Sequence, residues 1–502
     1  EQFVMDKKEK WFSARGLLII LLVITTQAHA QEEIHPYGET AEYSIGKELN
    51  IIDIKPTDIN VLSAVNAKLS SNLTPIVKNF MFLWTQSIAS GSYCVEWSVQ
   101  SPEAGTYEIT CIISGQDAKL VLSCNGKQQP ELEVGKDWSR ITLGTIGLKK
   151  GINKVQIDIS AAKDVKLSGV ELTRPPVKKQ MIQEALKMRK NADWFKDAGY
   201  GLMFQWTNRA TPENGNEIKN WDQKINDFDI EAFVDMVQQT GAAYIIWSIT
   251  WGQQYISAPI ISLDKLIEGR TTKRDLLGEM ANRLHEKDIK LIFYYHYGYD
   301  CYHSKDSAWL QAAGGYKEDK TELYHNISTI LSEVGNRYGD KLDGWFFDGG
   351  RRYYDSHFDG SSAGILSANF KDITQAARTG NAKRIIAYNS WILPRSTEYQ
   401  DYYAGEGYQQ FTDLDEGVFP CGKYKGLMAH TCFPLEKRWG HIDWNTTIAS
   451  PKYSIEQLIE WVQYAQQNSY PLSINLEMYE DGSASAESLE LLKKVRMKIR
   501  GK

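Results

Sequence analysis

This 502-residue chain lacks a basic excess, a paired-cysteine motif and a long hydrophobic run. Lys and Arg total 57 against 63 Asp and Glu, a formal net charge of −6, which leaves no electrostatic footprint for nucleic acid or an anionic membrane surface. The six cysteines (94, 111, 124, 301, 421 and 432) have no CxxC or finger spacing, which argues against a zinc site. No metal and no other cofactor is expected. No segment reaches the roughly 18 apolar residues of a membrane span, so none is expected in the mature chain.

What is present is aromatic. Fifteen Trp and 27 Tyr supply flat amphipathic rings of the kind sugars stack on, although protein cores use them too. The length predicts two domains behind any leader. Lys7, Lys8, Lys10 and Arg15 precede an apolar run at 17–26, and Ala28-His29-Ala30 follows. That order predicts a bacterial secretory signal peptide over residues 1–30, starting at Met5, and a protein exported to the periplasm or secreted.

From residue 34 to 174 the hydrophobic pattern has period two, with turn residues at short intervals and no helical stretch. It predicts a β-sandwich. Its layout resembles the jelly-roll carbohydrate-binding modules attached to bacterial glycosidases. Pro175-Pro176 then breaks the pattern, and a basic helical stretch at 177–191 forms a linker helix over 175–191. Beyond it strand and helix periods alternate. Strands are predicted at 201–206, 243–249, 290–295, 344–348, 384–389, weakly at 402–406, at 427–433 and at 472–477. Intervening helices are predicted at 230–240, 274–287, 321–338, 368–378, 454–468 and 486–499. Eight such units point to a (β/α)8 TIM-like barrel over 192–502, with the sixth unit the least secure.

The stretch Leu342-Asp343-Gly344-Trp345-Phe346-Phe347-Asp348-Gly349-Gly350 concentrates the chemistry. Asp348 ends a short apolar strand where a parallel barrel opens its active-site face. An Asp-Gly pair also closes ordinary turns, so the surrounding segments must decide. Asp343 lies at the opposite end of that strand.

Several barrel segments resemble the α-L-fucosidase family of retaining glycosidases. Residues 194–202 are similar to its first-strand "WFKDAKFGIF", 241–244 to its "GAKY", 274–279 to its "RDLVGE" and 291–295 to its "GLYY". Residues 342–350 fit its nucleophile strand. The resemblance implies Asp348 as nucleophile, a second carboxylate as acid/base, and a glycan substrate. Retaining glycosidases place the two carboxylates about 5 Å apart. Residues 404–408, ahead of the Trp439-Gly440 segment, are similar to the "AEY"-like segment that carries the acid/base in some members, which implies Glu406. Its carboxyl is expected to be protonated near neutral pH through partial burial and the charge of Asp348. Other members use a glutamate where this chain has His430. Glu436 is the reserve acid.

The chain departs from the family where histidines hold the sugar. "HWG" after strand one is replaced by Gln205-Trp206-Thr207, and "KHHDGF" after strand two by residues 250–255, which include Trp251. Gln205, Trp206, Trp251, Tyr295, His430 and Trp439 are the expected substrate-binding residues. For Trp251 a core role, and for His430 an internally satisfied one, is equally open. The implied activity is removal of terminal α-L-fucose or a related sugar by an exported retaining exo-glycosidase. The alternatives are a glycosidase of the same fold for another sugar, such as a modified deoxyhexose or galactose-like unit, and an inactive carbohydrate-binding protein.

Overall fold

A computed structural model describes residues 51–63, 67–78, 81–87, 90–136, 138–161, 165–296, 306–315, 317, 321–348, 365–366, 369–389, 397–406 and 427–501. The expected leader, Cys301 and Cys421 lie outside these residues. The chain divides into two compact units at the Arg174–Pro175 junction.

The first unit is a β-sandwich. One sheet runs, in spatial order, Ile52–Asp53, Gly91–Ser101, Gly151–Ala161, Ala118–Cys124 and Leu132–Val134. The other contains Ser139–Leu148, Gly105–Ser114, Lys166–Thr173 and Asn60–Ser63 in that order. The alternation read from the sequence is the alternation that buries it. Tyr93, Val95, Trp97 and Val99 face inward from the first sheet, and Tyr107, Ile109, Cys111 and Ile113 meet them from the second. Trp97 is therefore spent on the core.

The second unit opens with a helix at Pro175–Met188. The proline pair begins this helix instead of preceding it, because the first helical turn has no intrahelical amide bond to lose. Parallel strands then follow in hydrogen-bonded order. Ile385–Tyr388, Gly344–Asp348, Lys290–His296, Tyr244–Ser248, Tyr200–Phe204, Leu472–Leu476 and Thr431–Pro434 are the fifth, fourth, third, second, first, eighth and seventh strands of the barrel.

The sixth position is filled by irregular backbone at 401–406. Asp401 N donates to Ile386 O at 2.8 Å and Tyr403 N to Met428 O at 2.8 Å, which carries the sheet across from the fifth strand toward the seventh. The weak sixth unit of the sequence is thus a real wall of the barrel without being a regular strand. The helices Ile230–Thr240, Leu276–Glu286, Thr321–Tyr338, Phe370–Ala377, Ile455–Gln467 and Ala486–Arg500 match the predicted ones to within two residues at each end. Among the described residues no helix is long and apolar enough to cross a membrane.

Two buried cations fasten the scaffold at its base and side. Arg384 is wholly buried and donates to the carbonyls of Gly335, Gly339, Leu342, Ala377 and Thr379, satisfying helix ends that would otherwise be orphaned. Arg378 pairs with Asp401 at 2.5 Å, and Asp401 also accepts from Lys190 N and Ile386 N. That carboxylate ties the end of the linker segment to the irregular sixth wall.

Candidate active site

Barrel strands place every second side chain in the lumen. Met203, Tyr244, Ile246, Ile292, Tyr294, Phe346, Ile385, Ala387, Tyr402, Ala404 and Cys432 form one buried cluster there. One more step of two along the strands brings the top lumen layer, and the residue type changes. Gln205, His296, Asp348, Asn389 and Glu406 stand there. The core ends in a ring of polar groups at the C-terminal face.

Within that ring Asp348 is held from two sides. Tyr294 Oη donates to its Oδ2 at 2.5 Å, and Asn389 Nδ2 donates to its Oδ1 at 3.1 Å. The same Asn389 nitrogen donates to Glu406 Oε2. Two carboxylates from the fourth and sixth walls therefore converge on one amide. Asp348 and Asn389 are buried, and Glu406 is partly exposed. Cys432 lies below the pair, its thiol pushed well up by burial first and then by the charges of Glu406 and Asp348.

The other expected acids sit elsewhere. Asp343 is at the bottom of the barrel, accepting from Leu291 N at 3.0 Å beside Lys290. Glu436 turns toward the last helix. It accepts from Ser488 Oγ at 2.5 Å and from Glu477 N at 3.1 Å, and burial raises its carboxyl to about 7. As placed, Glu436 contacts neither Asp348 nor Asn389 and braces the end of the eighth strand.

The expected sugar contacts divide similarly. Gln205, Trp251 and Trp439 gather at the mouth: a side chain added at Gly440 would meet both Gln205 and Trp251, and Trp439 and Trp251 pack on the lumen cluster. Trp206 does not join them. It faces the helices, packed against Trp221, Phe228 and Trp247, with its indole N–H donating to Tyr479 O at 3.0 Å.

His430 lies a layer below the mouth, fully buried. Its Nδ1 is 2.9 Å from Ala404 O, which makes that nitrogen the donor, and its Nε2 then accepts from Ser473 Oγ at 2.8 Å. Burial pulls its pKa down to about 4, so the ring is neutral. Both ring nitrogens are occupied within the protein, and His430 is a structural lumen residue.

Tyr295 also differs from expectation. It packs edge-on against Phe347 on the helix side of the sheet, and its neighbour Tyr294 is the tyrosine that enters the lumen. Tyr294, His296, Asn389 and Asn475 are the site residues sequence reasoning missed. Stepping back by two from Asp348 across the His296–Asp348 register would have selected Tyr294 over Tyr295. The same stepping along 385, 387 and 389 would have selected Asn389.

Loops at this face are pinned by buried polar contacts. Thr211 N donates to His441 O at 3.0 Å, joining the loops after the first and seventh strands. Lys224 Nζ donates to Ala210 O at 2.6 Å and pairs with buried Glu480 at 3.4 Å. Arg270 grips Asp306 with two bonds of 2.9 Å, and Asp306 accepts from Gln254 N, fixing the loop after the second strand. The rim is thus preorganised by the chain itself.

Residues 219–497 match the family model described as alpha-L-fucosidase. Among solved structures, an alpha-L-fucosidase from Lactobacillus casei in complex with alpha-L-fucose product is 14% identical, with a TM-score of 0.44 over 62% of this chain and 99% of that one. A trapped covalent intermediate of an alpha-L-fucosidase from Bacteroides thetaiotaomicron is 17% identical, with a TM-score of 0.45 over 62% of this chain and 76% of that one. An endo-fucoidan hydrolase of glycoside hydrolase family 107 is 15% identical, with a TM-score of 0.45 over 62% and 94%. No curated protein matches the chain. With the family model spanning more than half of its length, over a curled parallel sheet that opens on paired carboxylates, the chain belongs to the alpha-L-fucosidase family of glycoside hydrolases.

Proposed function

We propose that this protein is a retaining exo-α-L-fucosidase with Asp348 as nucleophile and Glu406 as acid/base. The observation that carries the reading is the amide of Asn389, which donates to both carboxylates at once. Two carboxyl groups sharing one nitrogen are close enough for double displacement and too close to leave a water between them for inversion.

The chemistry follows from that placement. An oxygen of Asp348 forms a bond to the anomeric carbon while the bond to the aglycone oxygen breaks, and Glu406 gives that oxygen its proton. Glu406, now a carboxylate, takes a proton from water as the water attacks the same carbon. The ester bond breaks, and sugar leaves with its anomeric configuration retained. Tyr294 and Asn389 fix both oxygens of the nucleophile, so its attack costs little reorientation.

Hydrolysis of an aryl α-L-fucoside tests this, with wild type set against Asp348→Asn and Glu406→Gln and the product anomer followed by NMR. Wild type is expected to release the phenol from the α-L-fucoside, with α-L-fucose as the first-formed anomer. Asp348→Asn is expected to lose about 10⁴-fold or more in kcat, and Glu406→Gln to lose least with the most acidic phenol. An inverted product, or full activity in Asp348→Asn, refutes the assignment. The leader-like residues support export, and the expected mature protein purified from the periplasm or medium begins at Gln31.

A further inference from the structure

Opposite the carboxylates, the mouth carries two buried acceptors that meet no donor among the described residues. Gln205 is 6% exposed and Asn475 is wholly buried, yet Gln205 Oε1 and Asn475 Oδ1 have no hydrogen-bond partner. Native interiors rarely leave such oxygens unsatisfied, so two on adjacent strands call for a ligand.

Their placement is specific. Asn475 follows Ser473 by two on the eighth strand, and Ser473 Oγ meets Tyr244 and His430 in the lumen, so Asn475 faces the lumen one layer higher. Its Nδ2 donates to Trp439 O at 2.8 Å, which fixes the orientation of the amide and leaves its oxygen as the unpartnered atom. Gln205 continues the first strand, which pairs directly with the eighth, and Trp206 beside it faces the opposite way. Gly440 closes over Gln205, leaving no room for a side chain there. The loop residues Trp439 and Gly440 thus join the two amides into one surface.

We infer that Gln205 and Asn475 form an acceptor wall of the glycone subsite, which takes hydrogen bonds donated by two hydroxyls of a neutral sugar. This rests on the fucosidase reading for the position of the anomeric carbon at Asp348. A carbonyl oxygen accepts and cannot donate. The wall therefore selects free hydroxyls, and it disfavours a sugar that is deoxygenated or O-methylated at either position. Asn475 becomes a specificity residue in its own right, because its oxygen is aimed by the bond its nitrogen makes.

The test is kcat/KM for an aryl α-L-fucoside and its monodeoxy and mono-O-methyl analogues, with wild type, Gln205→Met, Asn475→Asp and Asn475→Leu. Two sugar positions are expected to cost wild type about 10- to 100-fold each when the hydroxyl is removed. Gln205→Met should abolish the penalty at one of them and Asn475→Leu at the other. Asn475→Asp keeps an acceptor but loses the donation to Trp439 O that aims it, so the penalty at that position should weaken without disappearing. If Asn475→Leu does not fold, Gln205→Met alone decides through its own position. Unchanged penalties in a variant that still cleaves the fucoside overturn the wall and leave the fucosidase reading standing. If wild type cleaves no fucoside but binds L-fucose by calorimetry, the fucosidase reading fails. The same analogues, used as binding ligands, then decide the wall. Failure to bind L-fucose overturns both.

Discussion

Asp348 and Glu406 accept hydrogen bonds from one and the same nitrogen, Nδ2 of Asn389. The amide is neutral, so it draws the two carboxylates together without contributing a full positive charge to hold both ionised. A guanidinium in that place would favour the charged form of the acid/base far more strongly.

Asn389 is therefore expected to set the pH profile as well as the geometry. Replacing it with Asp adds a third carboxylate, which disfavours ionisation of Glu406, so the basic limb of kcat should move up by about one pH unit. Asn389→Leu should lose about 10- to 100-fold in kcat with a smaller change in KM. A basic limb that stays in place in Asn389→Asp, with Asp348 and Glu406 intact, would show that the amide does not govern the pair.

Tyr294 holds the other oxygen of the nucleophile at 2.5 Å. Tyr294→Phe removes that donor and keeps the ring that stacks on Phe346. The expected result is a loss of about 10- to 100-fold in kcat/KM and an acidic limb displaced upward, since the hydroxyl no longer favours the ionised nucleophile. Tyr295→Phe is the control: its ring is on the helix side, and its kinetics should match wild type.

His430 governs acid stability instead of catalysis. Its pKa falls from 6.5 to about 4 on folding because burial disfavours the imidazolium. Between those values the unfolded chain holds a proton that the folded one does not. Stability from this group therefore rises as pH goes from 4 to 6.5 and is lost as pH falls through that window. The linkage amounts to roughly 3 kcal/mol. His430→Gln should flatten this part of the Tm-against-pH curve, as followed by calorimetry, whereas an unaltered slope would exclude the histidine as its source.

Glu436 acts with the opposite sign. Its folded pKa is raised from 4.5 to about 7, chiefly by burial, so the folded protein holds the proton longer than the unfolded chain. Its contribution to stability falls as pH rises from 4.5 to about 7 and is flat beyond. Glu436→Gln should be more stable than wild type above pH 7 relative to pH 5, with kcat/KM within about 10-fold because the side chain faces Ser488. A loss of activity like that of Glu406→Gln would mean that Glu436 is the proton donor after all.

The sequence by itself determined the barrel and the position of Asp348. Strand and helix periods are local signals, and a carboxylate at the end of an apolar strand is visible wherever the strand ends. The sandwich pattern of Tyr93, Val95, Trp97 and Val99 is legible for the same reason. What only the tertiary structure decided is facing and company. Tyr294 and Tyr295 are adjacent and chemically identical, and which one enters the lumen depends on the register of the third strand against the fourth, a contact between segments over 50 residues apart. Glu406, implied by the family resemblance, sits on a wall that reads only weakly as a strand and whose pairing the fold decides, and Asn389 and Asn475 are ordinary amides until the barrel closes. Curling the sheet brings residues 294, 348, 389, 406 and 475 to one mouth, because closure alternates side chains in and out on every strand at once.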